Sequence, residues 1–163
     1  MAIAHAASAD ISGFRGSTDC CRILLEHRRD DDPPSLYCST SEQVSAEAGH
    51  AFVEPAAINP AHTGRLLAEA TTLLPPHRPR PHQRVPPRSA LLHGVHLAHS
   101  HLLAHDPGAT AATLLQLADR VPEVQCVRCR NLLRRIRRSA GTRMRASDGA
   151  RALTAVDRAL WAP

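Results

Sequence analysis

The segment from Pro75 to Pro87, PPHRPRPHQRVPP, constrains the fold of this chain more than any other feature of its sequence. Proline fixes φ and has no backbone N–H to donate, so a segment this rich in proline forms neither a regular helix nor a strand. We expect it to be a stiff, extended and solvent-exposed connector. The elements of the 163-residue chain must therefore lie on either side of it.

The composition on both sides of the connector favours helices. The chain has 27 alanines and 19 leucines against 13 valines and isoleucines together, and only 2% of its residues are aromatic. Alanine and leucine lose little freedom in a helix, whereas strands use β-branched and aromatic residues. The sequence therefore predicts an all-α fold and excludes an all-β one. Its apolar periodicity corresponds to about seven helices.

Residues 1–31 are predicted to be a loose N-terminal tail with one short helix. Residues 1–17 are small and polar and show no apolar period. Thr18 or Asp19 could then cap a short helix, CCRILLEHRR, which the acidic and proline-marked break at 30–34 would close. The remainder, residues 32–163, is predicted to be one helical-repeat domain that contains the connector.

Two helices are predicted between this break and the connector. Ser39 and Glu42 have the spacing of a capping box, which would open a helix over about 40–53 that Pro55 ends. Asn59-Pro60 has the form of an N-cap followed by a first-turn proline and predicts the start of the next helix. Because the linker between them is short, we expect an antiparallel pair.

Four more helices are predicted after the connector. Pro87 opens the first of them, and Asp106 caps the second with Pro107 in its first turn, which gives another helical hairpin. Pro122 is expected to start the next helix and Ser147 to cap the last. The apolar stripes of these last two helices are predicted to contain Cys129, Leu132, Leu133 and Ile136, then Ala152, Leu153, Val156, Leu160 and Trp161.

The two hairpins share a pattern of small and large residues that resembles the tetratricopeptide repeat. The first carries Ala48-Gly49 and Phe52, then Leu67 and Ala70, before Pro75; the second carries Ala98 and Leu102, then Ala111, Leu115 and Ala118, before Pro122. In that family small residues let paired helices approach closely. The chain departs from the pattern in two ways: Phe52 and Leu102 are 50 residues apart where the family has about 34, and His99 replaces the glycine.

Longer strings resemble the C-terminal helical-repeat region of actinobacterial XRE-like helix-turn-helix transcriptional regulators. They are DPPSLYCSTSEQVSAEAGHAFVE, NPAHTGRLLAEATTLLPP, RSALLHGVHLAHSHLLAHDPGATAATLLQLADRV and VRCRNLLRRIRRSAG, and the likeness covers about residues 32–160. In that family a DNA-reading domain lies at the N-terminus, and residues 1–31 do not resemble it. The resemblance therefore implies the sensing or partner-binding half of a regulator, standing alone.

The expected function is recognition of a protein, a peptide or a small effector by a surface that histidines and arginines line. Residues 121–163 hold ten arginines against three acidic residues, a formal excess of +7. We predict a groove on the leading helices, formed by His50 and His101 beside Phe52 and Leu102. The arginines expected to contact the partner are Arg128, Arg134, Arg135 and Arg138.

A competing hypothesis is a metal-binding helical module formed by His101, His105, Cys126 and Cys129. The two histidines lie one helical turn apart, and the two cysteines have the spacing of half a zinc site or of a redox pair. No second cysteine pair lies close by, and Cys129 falls on an apolar stripe, where cysteine behaves as a small hydrophobic residue. We therefore expect core packing for Cys129 rather than metal binding.

Several other classes of protein do not fit the sequence. It has no glycine-rich phosphate loop, no nucleophile motif and no paired carboxylates, so we expect neither an enzyme nor a bound cofactor. No apolar run is long enough to cross a membrane and no signal peptide is evident, which predicts a cytoplasmic protein with no membrane partner. Without aromatic residues between the arginines, we do not expect direct nucleic-acid contact unless a separate DNA-binding domain is present.

Overall fold

The computed structural model describes residues 2–8, 10–27, 40–74, 87–141, 143–144 and 147–161. These residues form α-helices and no strand, so the all-α prediction is confirmed. Residues 75–86 of the connector and residues 28–39, including Ser39 of the expected capping box, lie outside the described residues. The helices are α1 (Ala2–Ala7), α2 (Ile11–Glu26), α3 (Ser41–Ile58), α4 (Thr63–Leu73), α5 (Pro87–Leu103), α6 (Pro107–Ala118), α7 (Val127–Ala140) and α8 (Ser147–Trp161).

The chain divides into two compact units, residues 1–74 and residues 75–163. In the first unit, α1 and α2 pack against each other and against α3, and α3 packs against α4. In the second unit, α5 packs against α6 and α7, and α8 packs against α6 and α7.

The N-terminal segment is more helical than its composition suggested. Asp10 caps α2, because its Oδ1 atom accepts a hydrogen bond from the Gly13 N–H at 2.9 Å. Ile11, Phe14 and Thr18 then lie along one face of α2 and are buried. The rings of Phe14 and Phe52 are 4.3 Å apart between centroids. Although only three residues of α2 are buried, one of them is the large aromatic side chain of Phe14. Its burial compensates for the low helix propensity of this segment.

The helix α3 is longer than predicted, because Pro55 does not end it. Proline removes only its own N–H from the helix, and the carbonyl of Pro55 still accepts a hydrogen bond from the Asn59 N–H at 3.0 Å. The N-cap is Thr40, whose Oγ1 atom accepts a hydrogen bond from the Gln43 N–H at 3.1 Å. The helix therefore extends to Ile58.

The helix α4 starts later than the Asn59-Pro60 signal predicted. Residues 59–62 form a turn and the helix begins at Thr63, whose hydroxyl donates to the Ala56 carbonyl at 2.8 Å. This bond joins the end of α3 to the start of α4. At the other end, a Cβ atom placed on Gly49 would lie only 2.8 Å from the Cγ atom of Leu74. The two helices are therefore antiparallel, and Gly49 permits their close approach, as its small size suggested.

The second unit is built around one apolar core to which all four of its helices contribute. Asp106 caps α6 as predicted, with its Oδ1 atom 2.8 Å from the Ala109 N–H and with Pro107 in the first turn. Pro122, however, lies in a turn, and α7 begins at Val127. The fully buried members of the core include Leu91, Val95, Leu117, Val121, Cys129, Leu133, Ile136 and Ala152.

None of the helices in the described ranges is both long enough and apolar enough to cross a lipid bilayer.

Candidate functional site

The helix α7 has an apolar face and a cationic face. Its apolar residues recur at helical spacing and are buried: Cys129, Leu132, Leu133, Ile136 and Ala140. The predicted partner-binding residues Arg128, Arg134, Arg135 and Arg138 are all exposed. Helix α7 contains six arginines and no acidic residue. The separation of the two faces follows from the 3.6-residue period, which places the apolar stripe against the core and the charged side chains in solvent.

Trp161 lies beside Arg134 instead of in the core. We expected it to continue the stripe of α8, but its side chain is 78% exposed. Leu153, Val156 and Leu160 already complete the buried stripe, and Trp161 follows Leu160 by one residue, so it points away from that face. The Cζ atom of Arg134 lies 5.9 Å from the centroid of its ring, within the range of a cation–π contact.

We call Arg128, Arg134, Arg135, Arg138 and Trp161 together the arginine surface. One further arginine of α7 has a different role: the Nε atom of Arg137 lies 3.1 and 3.0 Å from the two carboxylate oxygens of Asp157 on α8. Both partners are about 40% exposed, so this ion pair contributes no more than about 1 kcal/mol. Within the described ranges, Arg128, Arg134 and Arg138 form no ion pair.

The charges of the arginine surface have opposing effects on α7, because Arg138 lies in the last turn, where the helix dipole favours a positive charge. Arg128 lies in the first turn, where the helix dipole disfavours a positive charge. Arg134 and Arg138 are one turn apart, and like charges at this spacing destabilise a helix by about 0.2–0.5 kcal/mol.

A second group of reactive side chains lies at the start of α7. Cys126 is the N-cap residue and is buried, and Cys129 is completely buried in the core, as predicted. Burial, the largest influence, raises the pKa of Cys126, but the Cys129 N–H, the Cys129 thiol and the Arg88 guanidinium act against it and leave that pKa lowered. Burial and the neighbouring Cys126 raise the pKa of Cys129 from 9.0 to about 12.

The alternative metal site does not assemble in the described part of the chain. No three of His101, His105, Cys126 and Cys129 bring their ligand atoms close enough to share an ion. Cys126 and Cys129 lie at the start of α7, whereas His101 lies near the end of α5 and His105 just after it. The metal-binding hypothesis therefore lacks its ligand set in this structure.

Most residues of the expected histidine groove are in the core. Phe52 is fully buried, Leu102 is 3% exposed and His50 is 5% exposed. The Nδ1 atom of His50 lies 3.3 Å from a carboxylate oxygen of Glu47, one turn earlier on α3. His101 is partly exposed; burial lowers its pKa, and the nearby Asp106 carboxylate opposes that effect in part. Of these four side chains, only that of His101 reaches the surface appreciably.

The second unit also has a small open pocket, lined by Leu102, His105, Pro107 and Arg143. Its volume is about 290 Å³, at the lower limit of pockets that hold small organic ligands. His105 adopts a φ of 58°, which closes the turn between α5 and α6. Among the described residues that line it, His105 and Arg143 are the polar ones.

Comparison with known proteins finds no relative: no family model matches the chain, and neither a curated protein nor a solved structure is significantly similar to it.

Proposed function

We propose that this chain is a non-catalytic interaction domain that binds an acidic segment of a protein partner through the arginine surface. The single observation that carries the proposal is the contact of exposed Arg134 on α7 with exposed Trp161 on α8, on a helix that carries three further exposed arginines. The function is recognition, in line with the resemblance to the partner-binding region of helix-turn-helix regulators.

The chemistry of the arginine surface suits a protein partner. Arginine and tryptophan are the residues most enriched among those that dominate protein–protein binding energy. Guanidinium groups form bidentate hydrogen bonds with carboxylates, and the ring of Trp161 offers a large apolar contact at small conformational cost. An acidic segment with one or two apolar side chains would satisfy both kinds of contact.

A nucleic-acid partner fits less well. Single strands are bound by several aromatic side chains on which successive bases stack. Of the aromatic residues in the described ranges, Phe14 and Phe52 are buried and only Trp161 is exposed. The positive charge of α7 would attract phosphates, but one ring provides no platform for a run of bases.

In a complete regulator, a domain of this kind changes the DNA-binding state because its ligand binds two states with different affinity. The same logic would apply if this chain met its DNA-binding component as a separate polypeptide. Binding of the acidic partner to the arginine surface would then change the DNA affinity of the separate DNA-binding polypeptide.

The proposal is tested with a fluorescein-labelled acidic peptide, rich in aspartate and glutamate and containing two phenylalanines, by fluorescence anisotropy. We expect the double substitution Arg134→Gln and Arg138→Gln to weaken binding about tenfold. Each guanidinium removed takes away attraction for a carboxylate, so the remaining affinity should also depend less on salt.

The matched control is the double substitution Arg65→Gln and Arg151→Gln, which removes the same net charge from exposed positions on α4 and α8. We expect it to change the affinity by less than about twofold. Equal weakening by both double variants would show that only net charge matters and would contradict the proposal. Tighter binding of an oligonucleotide of the same length than of the peptide would also contradict it.

A further inference from the structure

The open pocket of the second unit combines two kinds of side chain. Leu102 and Pro107, at the end of α5 and the start of α6, contribute apolar atoms. His105, in the turn between these helices, and Arg143, in the turn after α7, are its polar residues, and both are exposed. Imidazole and guanidinium groups both donate N–H hydrogen bonds. The pocket therefore offers apolar contacts and hydrogen-bond donors to the same ligand.

The positive charge of Arg143 is not neutralised by an acidic side chain in the described part of the chain. The arginines that form ion pairs there are others: Arg15, Arg22, Arg137 and Arg151. Asp106, which follows His105 in the sequence, uses its Oδ1 atom to accept a hydrogen bond from the Ala109 N–H at 2.8 Å. The Arg143 guanidinium is thus available to an anion from solution.

The turn that carries Arg143 is fixed by the core. The N–H groups of Arg143 and Met144 both donate to the Ala140 carbonyl, each at 2.9 Å. Met144 is 2% exposed and belongs to the apolar core of the second unit. A Cβ atom placed on Gly149 would lie 2.8 Å from the Met144 carbonyl oxygen, so α8 packs directly on this turn. A ligand therefore has to order only the side chain of Arg143, which lowers the cost of binding.

His105 occupies a backbone position that glycine usually fills. Its N–H donates to the Leu102 carbonyl at 3.2 Å, and the Asp106 N–H donates to the His101 carbonyl at 3.0 Å. These are the two hydrogen bonds of a Schellman motif at the end of a helix. The φ of His105 is 58°, in the left-handed region, where a residue with a Cβ atom is strained. Glycine would suit the turn better, but it would remove the imidazole ring from the pocket.

We propose that this pocket binds a small carboxylate ligand with a compact apolar body, such as an aromatic monocarboxylate. The Arg143 guanidinium forms a bidentate ion pair with the carboxylate, and the His105 ring donates an N–H to it. The apolar body packs against Leu102 and Pro107. The volume of about 290 Å³ limits the ligand to a compact one. None of these four residues belongs to the arginine surface, so the inference does not rest on the proposed function.

The test is isothermal titration calorimetry of the full wild-type chain with sodium benzoate at constant pH and ionic strength. We expect saturable binding at one site with a Kd on the order of 1 mM. Benzamide has the ring without the charge, and inorganic phosphate has the charge without the ring. Because each lacks one half of the recognition, both should bind at least about tenfold more weakly than benzoate.

Two variants separate the roles of the polar residues. Arg143→Gln should weaken benzoate binding at least about tenfold, because it removes the charged and bidentate partner. His105→Gly should weaken it at least about threefold, while the thermal midpoint stays the same or rises, because glycine relieves the left-handed backbone. A lower affinity in an equally stable protein distinguishes a ligand-binding role of the ring from a structural one.

The matched control is Arg158→Gln, which removes the same charge from an exposed position on α8 that does not line the pocket. It should change benzoate affinity by less than about twofold, and circular dichroism verifies that all variants keep their helix content. Absence of saturable benzoate binding would overturn the proposal. Binding of benzamide or phosphate as tight as that of benzoate would do so too, as would equal effects of Arg143→Gln and Arg158→Gln. Unchanged affinity in His105→Gly would remove His105 from the site.

Discussion

Replacing Phe52 with alanine is expected to lower the free energy of unfolding of the first unit by about 3–5 kcal/mol. Phe52 is fully buried on α3, and its ring lies 4.3 Å from that of Phe14 on α2, so truncation removes both a large apolar surface and an aromatic pair. A unit of this size is stable by only about 4–10 kcal/mol. Urea unfolding followed by circular dichroism measures the loss.

The matched control is Leu24→Ala, on the same helix as Phe14. Leu24 is 67% exposed, so its truncation should change stability by no more than about 0.5 kcal/mol. If Phe52→Ala unfolds the unit entirely, Phe52→Leu retains most of the volume and keeps the effect measurable. An unfolding curve for Phe52→Ala that coincides with that of Leu24→Ala would contradict the packing of α2 against α3.

Replacing Leu133 with alanine is expected to destabilise the second unit by about 2–5 kcal/mol. Leu133 is 0% exposed and belongs to the core shared by α5, α6, α7 and α8. Removing its branched end leaves a cavity whose walls can relax only in part, because helices on several sides fix the surrounding side chains. The midpoint of urea unfolding should fall accordingly.

Val127→Ala provides the comparison within the same helix. Val127 is 72% exposed, and alanine has the higher helix propensity, so this change should be neutral or slightly stabilising. Ile136→Val is a milder core change that should cost about 0.5–1.5 kcal/mol. We expect the loss of stability to be largest for Leu133→Ala, smaller for Ile136→Val and smallest for Val127→Ala. Any other order would contradict the burial of the Leu133 and Ile136 face of α7.

The sequence predicted those parts of the fold that depend on local signals. Asp106 and Pro107 mark the start of α6 through a side-chain cap and a fixed φ, both of which act within one turn. The apolar stripe of α7 is readable because Cys129, Leu132, Leu133 and Ile136 recur at helical spacing. The tetratricopeptide-like and regulator-like resemblances remain predictions.

The errors arose where tertiary packing overrode a local signal. Proline usually ends a helix, yet α3 continues through Pro55, because only one hydrogen bond is lost and Phe52 is buried on the same helix. The helical N-terminal segment depends on the burial of Phe14 against Phe52, two residues far apart in sequence. Pro60 and Pro122 lie in turns instead of starting helices, since proline is compatible with both.

The candidate sites were predictable to different degrees. The exposure of the four arginines followed from the amphipathic pattern of α7. The exposure of Trp161 could have been inferred from its position one residue after Leu160, outside the stripe that Leu153 and Leu160 define.

The emission of Trp161 tests the proposed binding surface most directly, because it is the only tryptophan of the chain and is 78% exposed. On titration with the acidic peptide, we predict that its emission shifts to shorter wavelength and that acrylamide quenches it less, and that Arg134→Gln with Arg138→Gln suppresses both changes. Unchanged emission and quenching, at concentrations where anisotropy reports the peptide as bound, would contradict the proposal.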